Sequence, residues 1–393
     1  MSVSVSKRMS RVMPSATSAV LNLAAELREA GRPVISLGAG EPDFDTPEHI
    51  KTAAIQAIHD GETKYTAIDG TSSLKGAIQR KFERDNELVY NADQILVSVG
   101  AKHTLFNACM AILSPGDEAI IPAPYWVSYP DMVRIAEANP IIIETGLEDA
   151  FKVTPEKLDA AITEKTRVLF LNSPSNPTGS CYTRDELEML GEILLKHPNI
   201  IVLADDIYEH IHWAEEPFCS IATACPALYD QVVTINGVSK CYAMTGWRIG
   251  YAGGPADVIK AMKTIQSQIT SNPCSVSQVA ATRALDGDQS FMSEMLNAYR
   301  QRSDYVVGAL NEVPGFECRK GEGAFYAFPR VTDAIKRLGL ETDTDLVKML
   351  LKSTDVVLVS GTPFGAPGYV RISFACSIEE LQEATDRLKR ALS

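Results

Sequence analysis

Residues 231 to 250 read Q-V-V-T-I-N-G-V-S-K-C-Y-A-M-T-G-W-R-I-G. The β-branched run from Val232 to Ile235 has the composition of a buried strand, and Asn236-Gly237 stops it. Lys240 follows in a loop of small residues, and Arg248 stands further on between Trp247 and Ile249, an apolar setting for a charge. A lysine amine can condense with a carbonyl to an imine, and a fixed guanidinium fork can hold a phosphate. Pyridoxal 5′-phosphate (PLP) carries both an aldehyde and a phosphate. A surface lysine beside a structural arginine explains the same stretch, and for so short a motif it is the commoner explanation.

The strands that precede this stretch change the balance. From residue 94 onward, strand-like and helix-like patterns alternate, which implies βαβ units and a parallel sheet. Gln94 to Val99 precedes G-A-K-H-T-L, and Glu118 to Ile121 precedes P-A-P-Y-W-V-S-Y-P. Arg167 to Leu171 precedes N-S-P-S-N-P-T-G, Asn199 to Ala204 precedes D-D-I-Y-E, and Gln231 to Ile235 precedes N-G-V-S-K. Polar and aromatic residues therefore gather just beyond the carboxyl ends of successive strands, where open α/β sheets bind ligands. Between them, Thr183 with Glu186 forms a capping box and Thr154-Pro155 opens another helix.

Toward the N-terminus, residues 17 to 30 form an amphipathic helix closed by Gly31. A short strand at 34 to 37 leads into G-A-G-E-P-D-F-D-T-P, where Gly38 and Gly40 permit close approach of a ligand to the backbone. Thr46 is expected to cap a helix with Pro47 at its first position, running to Gly61, and 72 to 86 is a further helix. Beyond residue 255 the expectation is a helix over 256 to 268 and one long helix from 276 to 312. Then come F-E-C-R, G-A-F-Y-A-F, a helix over 344 to 352, D-V-V-L-V-S, Y-V-R-I-S-F-A and a last helix capped by Ser377 and Glu380. This reads as a large domain over 46–290 and a smaller α+β domain made of 1–45 and 291–393.

Length and charge narrow the function classes. At 393 residues, two domains are the natural expectation. A net charge of −13 argues against nucleic-acid or acidic-membrane partners. The start, M-S-V-S-V-S-K-R-M-S-R, lacks the apolar segment of a secretory signal, and no apolar run is long enough to span a bilayer. Eight scattered cysteines without a C-x-x-C suggest reduced thiols in the cytoplasm. His210 and His212 have no Cys or third His nearby in sequence, so no metal is expected.

Six ordered motifs carry a resemblance. They are A-G-E-P-D-F (39 to 44), P-Y-W-V-S-Y-P (124 to 130), N-S-P-S-N-P-T-G (172 to 179), D-D-I-Y (205 to 208), S-K-C-Y-A-M-T-G-W-R-I-G-Y (239 to 251) and Y-V-R-I-S-F-A (369 to 375). Together they resemble the fold-type I PLP-dependent aminotransferases of class I, and more narrowly the bacterial subgroup Ib aspartate aminotransferases. The resemblance implies a PLP-binding α/β domain with a mostly parallel sheet, a smaller α+β domain, and a homodimer with shared active sites. It also implies amino transfer from L-aspartate to 2-oxoglutarate, in two halves through pyridoxamine phosphate. Prephenate, aromatic or alanine aminotransferase activity, or a PLP-dependent lyase on the same fold, stand as alternatives.

Residue by residue, the resemblance implies that Lys240 binds the cofactor aldehyde and moves the substrate proton, and that Asp205 pairs with the pyridine nitrogen. Asp206 is the rival, but the family pattern D-x-x-Y selects the carboxylate three before Tyr208. Tyr208 and Asn176 would donate to the ring oxygen, and Trp126 would stack on the ring beside the substrate. Arg248 would hold the phosphate with the backbone of Gly100, Ala101 and Lys102 at a helix start. Tyr65 would reach the partner subunit's cofactor phosphate. Arg371, Gly40 and Asn176 would take the substrate α-carboxylate, and Lys102 with Thr17 the distal one. Read singly, Asp205 also suits a helix cap, Asn176 a turn before Pro177, and Trp126 core packing. Two departures stand out. Gly237 occupies the place, three before the lysine, where some relatives have a phosphate-binding hydroxyl, leaving Ser239 to compensate or not. Relatives that prefer prephenate often carry a basic residue before P-S-A-T, where this chain has Met13.

Overall fold

The computed structural model describes residues 4–12, 14 and 16–393, with the backbone alone for 16–21. The side chain of Thr17, and Met13 altogether, lie outside the described residues. In chain order the strands are β1 (Ile35–Ser36), β2 (Ile95–Ser98), β3 (Glu118–Ala123), β4 (Asn139–Glu144), β5 (Thr166–Asn172), β6 (Ile201–Asp205), β7 (Val232–Gly237), β8 (Gly250–Gly253), β9 (Tyr326–Ala327), β10 (Val356–Val357), β11 (Val359–Ser360) and β12 (Val370–Ser373).

Val232 to Gly237 is buried at every position because it lies inside a seven-stranded sheet with helices on both faces. The sheet order is β2-β8-β7-β6-β5-β3-β4. All pairings are parallel except those of β8, which runs antiparallel to both β2 and β7. One apolar core lies on the face that packs Leu96, Ala119, Ile121, Val168, Phe170, Leu203, Val233 and Ile235 against the helices over Ala101–Ile112 and Ala256–Ile269. Alternate residues of the same strands, such as Ile95, Val97, Ile120, Leu169, Val202 and Val232, enter a second and larger core.

Two smaller sheets complete the α/β architecture. Strand β1 pairs in parallel with β10, so the N-terminal strand at 34 to 37 does join the C-terminal part of the chain. Strands β11, β12 and β9 form an antiparallel sheet in which Arg371 lies opposite Val359 and Tyr326 opposite Ser373.

Several local expectations need correction. Thr46 does not cap: the helix runs Glu48–His59 from Pro47 with no side-chain cap. The Thr46 hydroxyl instead donates to Ala243 O at 2.7 Å and accepts from Trp247 Nε1 at 3.1 Å, tying that helix entry to the Lys240 loop. The expected long helix is two, Ser275–Asp286 and Phe291–Asn311. The break falls at Gly287, where the Gln289 amide donates to Ala284 O at 2.7 Å and Gly287 O at 2.8 Å. F-E-C-R is not a strand but a single bridge, Glu317 to Arg330. D-V-V-L-V-S divides into β10 and β11, which serve different sheets.

Strand β8 escaped a pattern reading because G-Y-A-G has little strand character. Its first glycine has a steric reason: a Cβ on Gly250 would stand 2.1 Å from Ala101 N. The strand can therefore lie directly against the start of the 101–112 helix. Below that start, the buried Gln266 amide donates to Ile68 O at 2.7 Å and Val97 O at 2.8 Å, while its oxygen accepts from Ser98 at 2.7 Å and Asn107 at 2.9 Å. Replacing it by an isosteric apolar residue strands several buried polar groups at once. Gln266→Leu should therefore lower unfolding free energy by on the order of 3 kcal/mol. A denaturant titration showing a loss below ~1 kcal/mol would mean that water replaces these bonds cheaply.

Candidate active site

A cavity of about 350 Å³ opens at the carboxyl ends of β5, β6 and β7. It brings together Gly40, Ala101, Lys102, Trp126, Asn176, Asp205, Tyr208, Lys240, Arg248 and Arg371 from distant parts of the chain. Gly100 is the residue before the 101–112 helix. The first N–H groups of that helix, at Ala101 and Lys102 on the cavity wall, have no partner within the helix. Tyr65 is different: it is 91% exposed and does not line this cavity.

Charge is the cavity's main property. Lys102, Lys240, Arg248 and Arg371 all face it, and none forms an ion pair with a carboxylate among the described residues. Among the described residues, the only carboxylates on its wall are Glu41 and Asp205. Lys240 Nζ donates to Gly40 O at 2.5 Å. Burial, then the nearby Arg371, lower its pKa from 10.5 to about 8. Lys102 is also pulled down, by burial and then Arg248, and its ammonium sits 4.8 Å from the Trp126 ring centre. Arg248 takes a left-handed backbone (φ 56°) and donates to Thr245 O at 2.8 Å. Arg371, only 1% exposed, donates to Asn176 Oδ1 at 3.1 Å and Gly38 O at 2.8 Å.

Adjacent carboxylates diverge. Asp205 lies on the cavity wall, accepts from the Tyr129 hydroxyl at 2.5 Å, and leaves Oδ1 buried without a partner. Burial raises its pKa from 3.8 to about 6. Asp206 does not line the cavity, and burial raises its carboxyl well above the ordinary range. Near it, Asp85, Glu209 and His210 bring their ligand atoms within 4.8 Å of one another, but the buried Lys81 ammonium lies against Glu209 and supplies the cation there.

The cavity also holds residues to which pattern reading gave no role: Glu41, Tyr129, Asn172, Thr245 and Tyr326. Tyr129 was inside a quoted motif, yet its bond to Asp205 crosses from one strand end to another, and spacing carries no such information. At Gly237, a Cβ would meet Ile249 O at 2.9 Å, so a larger residue has no room, whereas Ser239 does line the cavity.

A model of the family described as aminotransferase class I and II matches residues 32–388. The chain belongs to the class I and II aminotransferases. It is 52% identical over 395 residues to an aspartate/prephenate aminotransferase of Nitrosomonas europaea, covering 99% of this chain and 100% of that one. It is 51% identical to an aspartate aminotransferase of Rhizobium meliloti, covering 97% and 95%. Among solved structures, the Rhizobium meliloti aspartate aminotransferase superimposes with a TM-score of 0.95 at 49% identity over 100% of this chain and 99% of that one. The Thermus thermophilus aspartate aminotransferase with maleate gives 0.94 at 41% identity over 100% of both chains.

The aminotransferase is PLP-dependent, with the fold of fold-type I enzymes. Its cavity fits that cofactor on the chain's own features. The unpartnered Asp205 Oδ1 is an acceptor for a protonated ring nitrogen, and the open helix start beside Arg248 suits a phosphate. The lowered pKa of Lys240 leaves a reactive amine near neutrality. In the cofactor-free enzyme, acylation of Lys240 should follow a midpoint near pH 8, well below that of exposed lysines, and peptide mapping across pH reads it. A midpoint near 10.5 would show that solvent reaches the amine freely.

Proposed function

We propose that the enzyme transfers the amino group of L-aspartate reversibly to 2-oxoglutarate, giving oxaloacetate and L-glutamate. The observation that carries this is the pair of cations left over once Arg248 and the helix start are assigned to the phosphate. Arg371 lies against Tyr326, and Lys102 lies against Trp126. Two separate cations suit the two carboxylates of aspartate and of 2-oxoglutarate. Names of similar proteins support the same substrate. Prephenate also carries two carboxylates and stands as the second reading, favoured by the relatives named for both substrates.

When bound, PLP supplies an aldehyde carbon that accepts an amine and a ring that withdraws electrons from the substrate Cα. The chain's own residues do the remainder. Lys240 Nζ would shuttle the proton between the substrate Cα and the cofactor C4′, as a neutral amine of lowered pKa can. Asp205, held by Tyr129, keeps the proton on the ring nitrogen. Tyr208 and Asn176, on the cavity wall, would donate to the cofactor's ring oxygen, and Trp126 would pack against its ring. Arg248 and the amides following Gly100 bind phosphate, with Ser239 on the same wall. Arg371, Gly40 and Asn176 would receive the α-carboxylate, and Lys102 the distal one. Val12 and Pro14 already border the cleft next to Lys102.

The exposure of Tyr65, away from its own cavity, supports a homodimer in which it completes the partner subunit's site. A division into a large domain, 46–290, and a small one, 1–45 with 291–393, is supported by the separation of the seven-stranded sheet from the two smaller sheets. Eight free cysteines support a reducing compartment, the cytoplasm.

A panel of amino donors with 2-oxoglutarate as acceptor, prephenate tested in its turn as acceptor, decides the substrate. Lys102→Ala should cost on the order of 2–5 kcal/mol in kcat/KM for aspartate but little for phenylalanine. Arg371→Ala should damage both, because both carry the α-carboxylate. Equal losses for the two substrates in Lys102→Ala would return the enzyme to a general aminotransferase. Asp205→Ala should depress chiefly kcat while Asp206→Ala spares it, and the reverse pattern would overturn the assignment of the ring-nitrogen partner.

A further inference from the structure

Tyr326 touches both halves of the site, yet neither its sequence context nor the roles above use it. It lies on β9, opposite Ser373 of the strand that carries Arg371, and is 2% exposed. Its ring centre stands 4.7 Å from the Arg371 guanidinium carbon, with Phe364 at 5.0 Å. Arg371 has no carboxylate partner among the described residues, and its Nε is buried without an acceptor. Two carbonyl-type oxygens and two ring faces are therefore what holds this cation before a substrate carboxylate arrives. The Tyr326 hydroxyl meets the Tyr208 hydroxyl at 2.9 Å. It fits closely over Gly40, where a Cβ would come within 3.3 Å of it.

We propose that Tyr326 is a positioning residue with two separable handles: its hydroxyl directs the Tyr208 proton into the cavity, and its ring holds the Arg371 guanidinium ready for a carboxylate. This rests on the reading that Tyr208 donates to the cofactor ring oxygen and Arg371 receives the α-carboxylate. The hydroxyl pair can share only one proton between its oxygens. When Tyr326 donates, the Tyr208 proton is left for an acceptor in the cavity, and a hydroxyl that accepts a hydrogen bond is a stronger donor. The ring handle needs no hydroxyl, because the attraction comes from the face of the π-system. Tyr326→Phe therefore removes one handle and keeps the other, whereas Tyr326→Met removes both at similar volume.

The test uses holoenzyme and two readouts other than turnover. The first is the pH midpoint of the bound cofactor's visible absorbance. Donation from Tyr208 favours the unprotonated chromophore, so weakening it raises the midpoint. Tyr326→Phe should raise it by roughly half a unit, the scale of one modest hydrogen bond. Tyr208→Phe should raise it further, and adding Tyr326→Phe to Tyr208→Phe should change nothing more, because Tyr326 acts through Tyr208. The second readout is the dissociation constant of maleate, a dicarboxylate that cannot react, measured at a pH below every midpoint. Tyr326→Phe should bind it within about twofold of the parent, and Tyr326→Met should weaken it by about tenfold. If Tyr326→Met fails to fold, Tyr326→Leu takes its place. An unchanged midpoint in Tyr326→Phe with a raised one in Tyr208→Phe overturns the hydroxyl handle and leaves the role of Tyr208 standing. Unchanged midpoints in both overturn the role of Tyr208 as well. Equal maleate binding in Tyr326→Phe and Tyr326→Met overturns the ring handle.

Discussion

Four cations without carboxylate partners face one cavity, in a chain whose net charge is −13. Keeping like charges together and partly out of water costs free energy, and the surrounding fold has to offset it. It does so with dipoles and ring faces in place of counter-ions. Arg371 lies between carbonyl oxygens and two aromatic rings, Lys102 over Trp126, and Arg248 against a backbone carbonyl. Lys240 meets the same constraint differently, by giving up its proton more readily. The outcome is a site electrostatically complete only with a polyanionic occupant.

The carboxylate side shows the converse. Asp205 is buried with a proton affinity raised to a pKa of about 6, against 3.8 in water. Between those two values the unfolded chain has released the proton and the folded one still holds it. Stability contributed by this group therefore falls as pH rises through that window. A cation against Oδ1 removes the penalty, which is why a protonated ring nitrogen and a buried carboxylate suit each other. Tyr129 supplies only a neutral hydrogen bond and leaves room for that partner.

Much of this was legible in the residues. The alternating sheet, the polar clusters at strand ends and most residues facing the cavity belong to contiguous stretches, so local sequence carries them. What escaped depends on register between distant strands. Tyr326 sits in an apolar strand and acquires its neighbours only because β9 pairs with β12, which carries Arg371, and lies against Tyr208. Strand β8 hides behind two glycines, Gly250 crowded by the start of the 101–112 helix and Gly253 by the Tyr90 ring. The break at Gly287 hides inside a helical pattern because its cap comes from a glutamine side chain two residues on. Thr46 has the composition of a cap, but Ala243 and Trp247 compete for its hydroxyl and win.

These competitions share a cause. The loop carrying Lys240 and Arg248 has little regular structure of its own, only a single 3₁₀ turn at Thr245–Trp247. Its position must come from outside it. Thr46 ties Ala243 and Trp247 to the segment after Gly40, and Gly40 O receives the Lys240 amine. Thr245 donates to Glu41 at 3.0 Å, a third link between the same two segments. A-G-E-P-D-F is thus more than a substrate loop: it is the support on which the lysine loop rests. Displacement of one should disturb the other, so the Gly40 segment proposed to meet the α-carboxylate and the amine proposed to move the proton are set by a single arrangement.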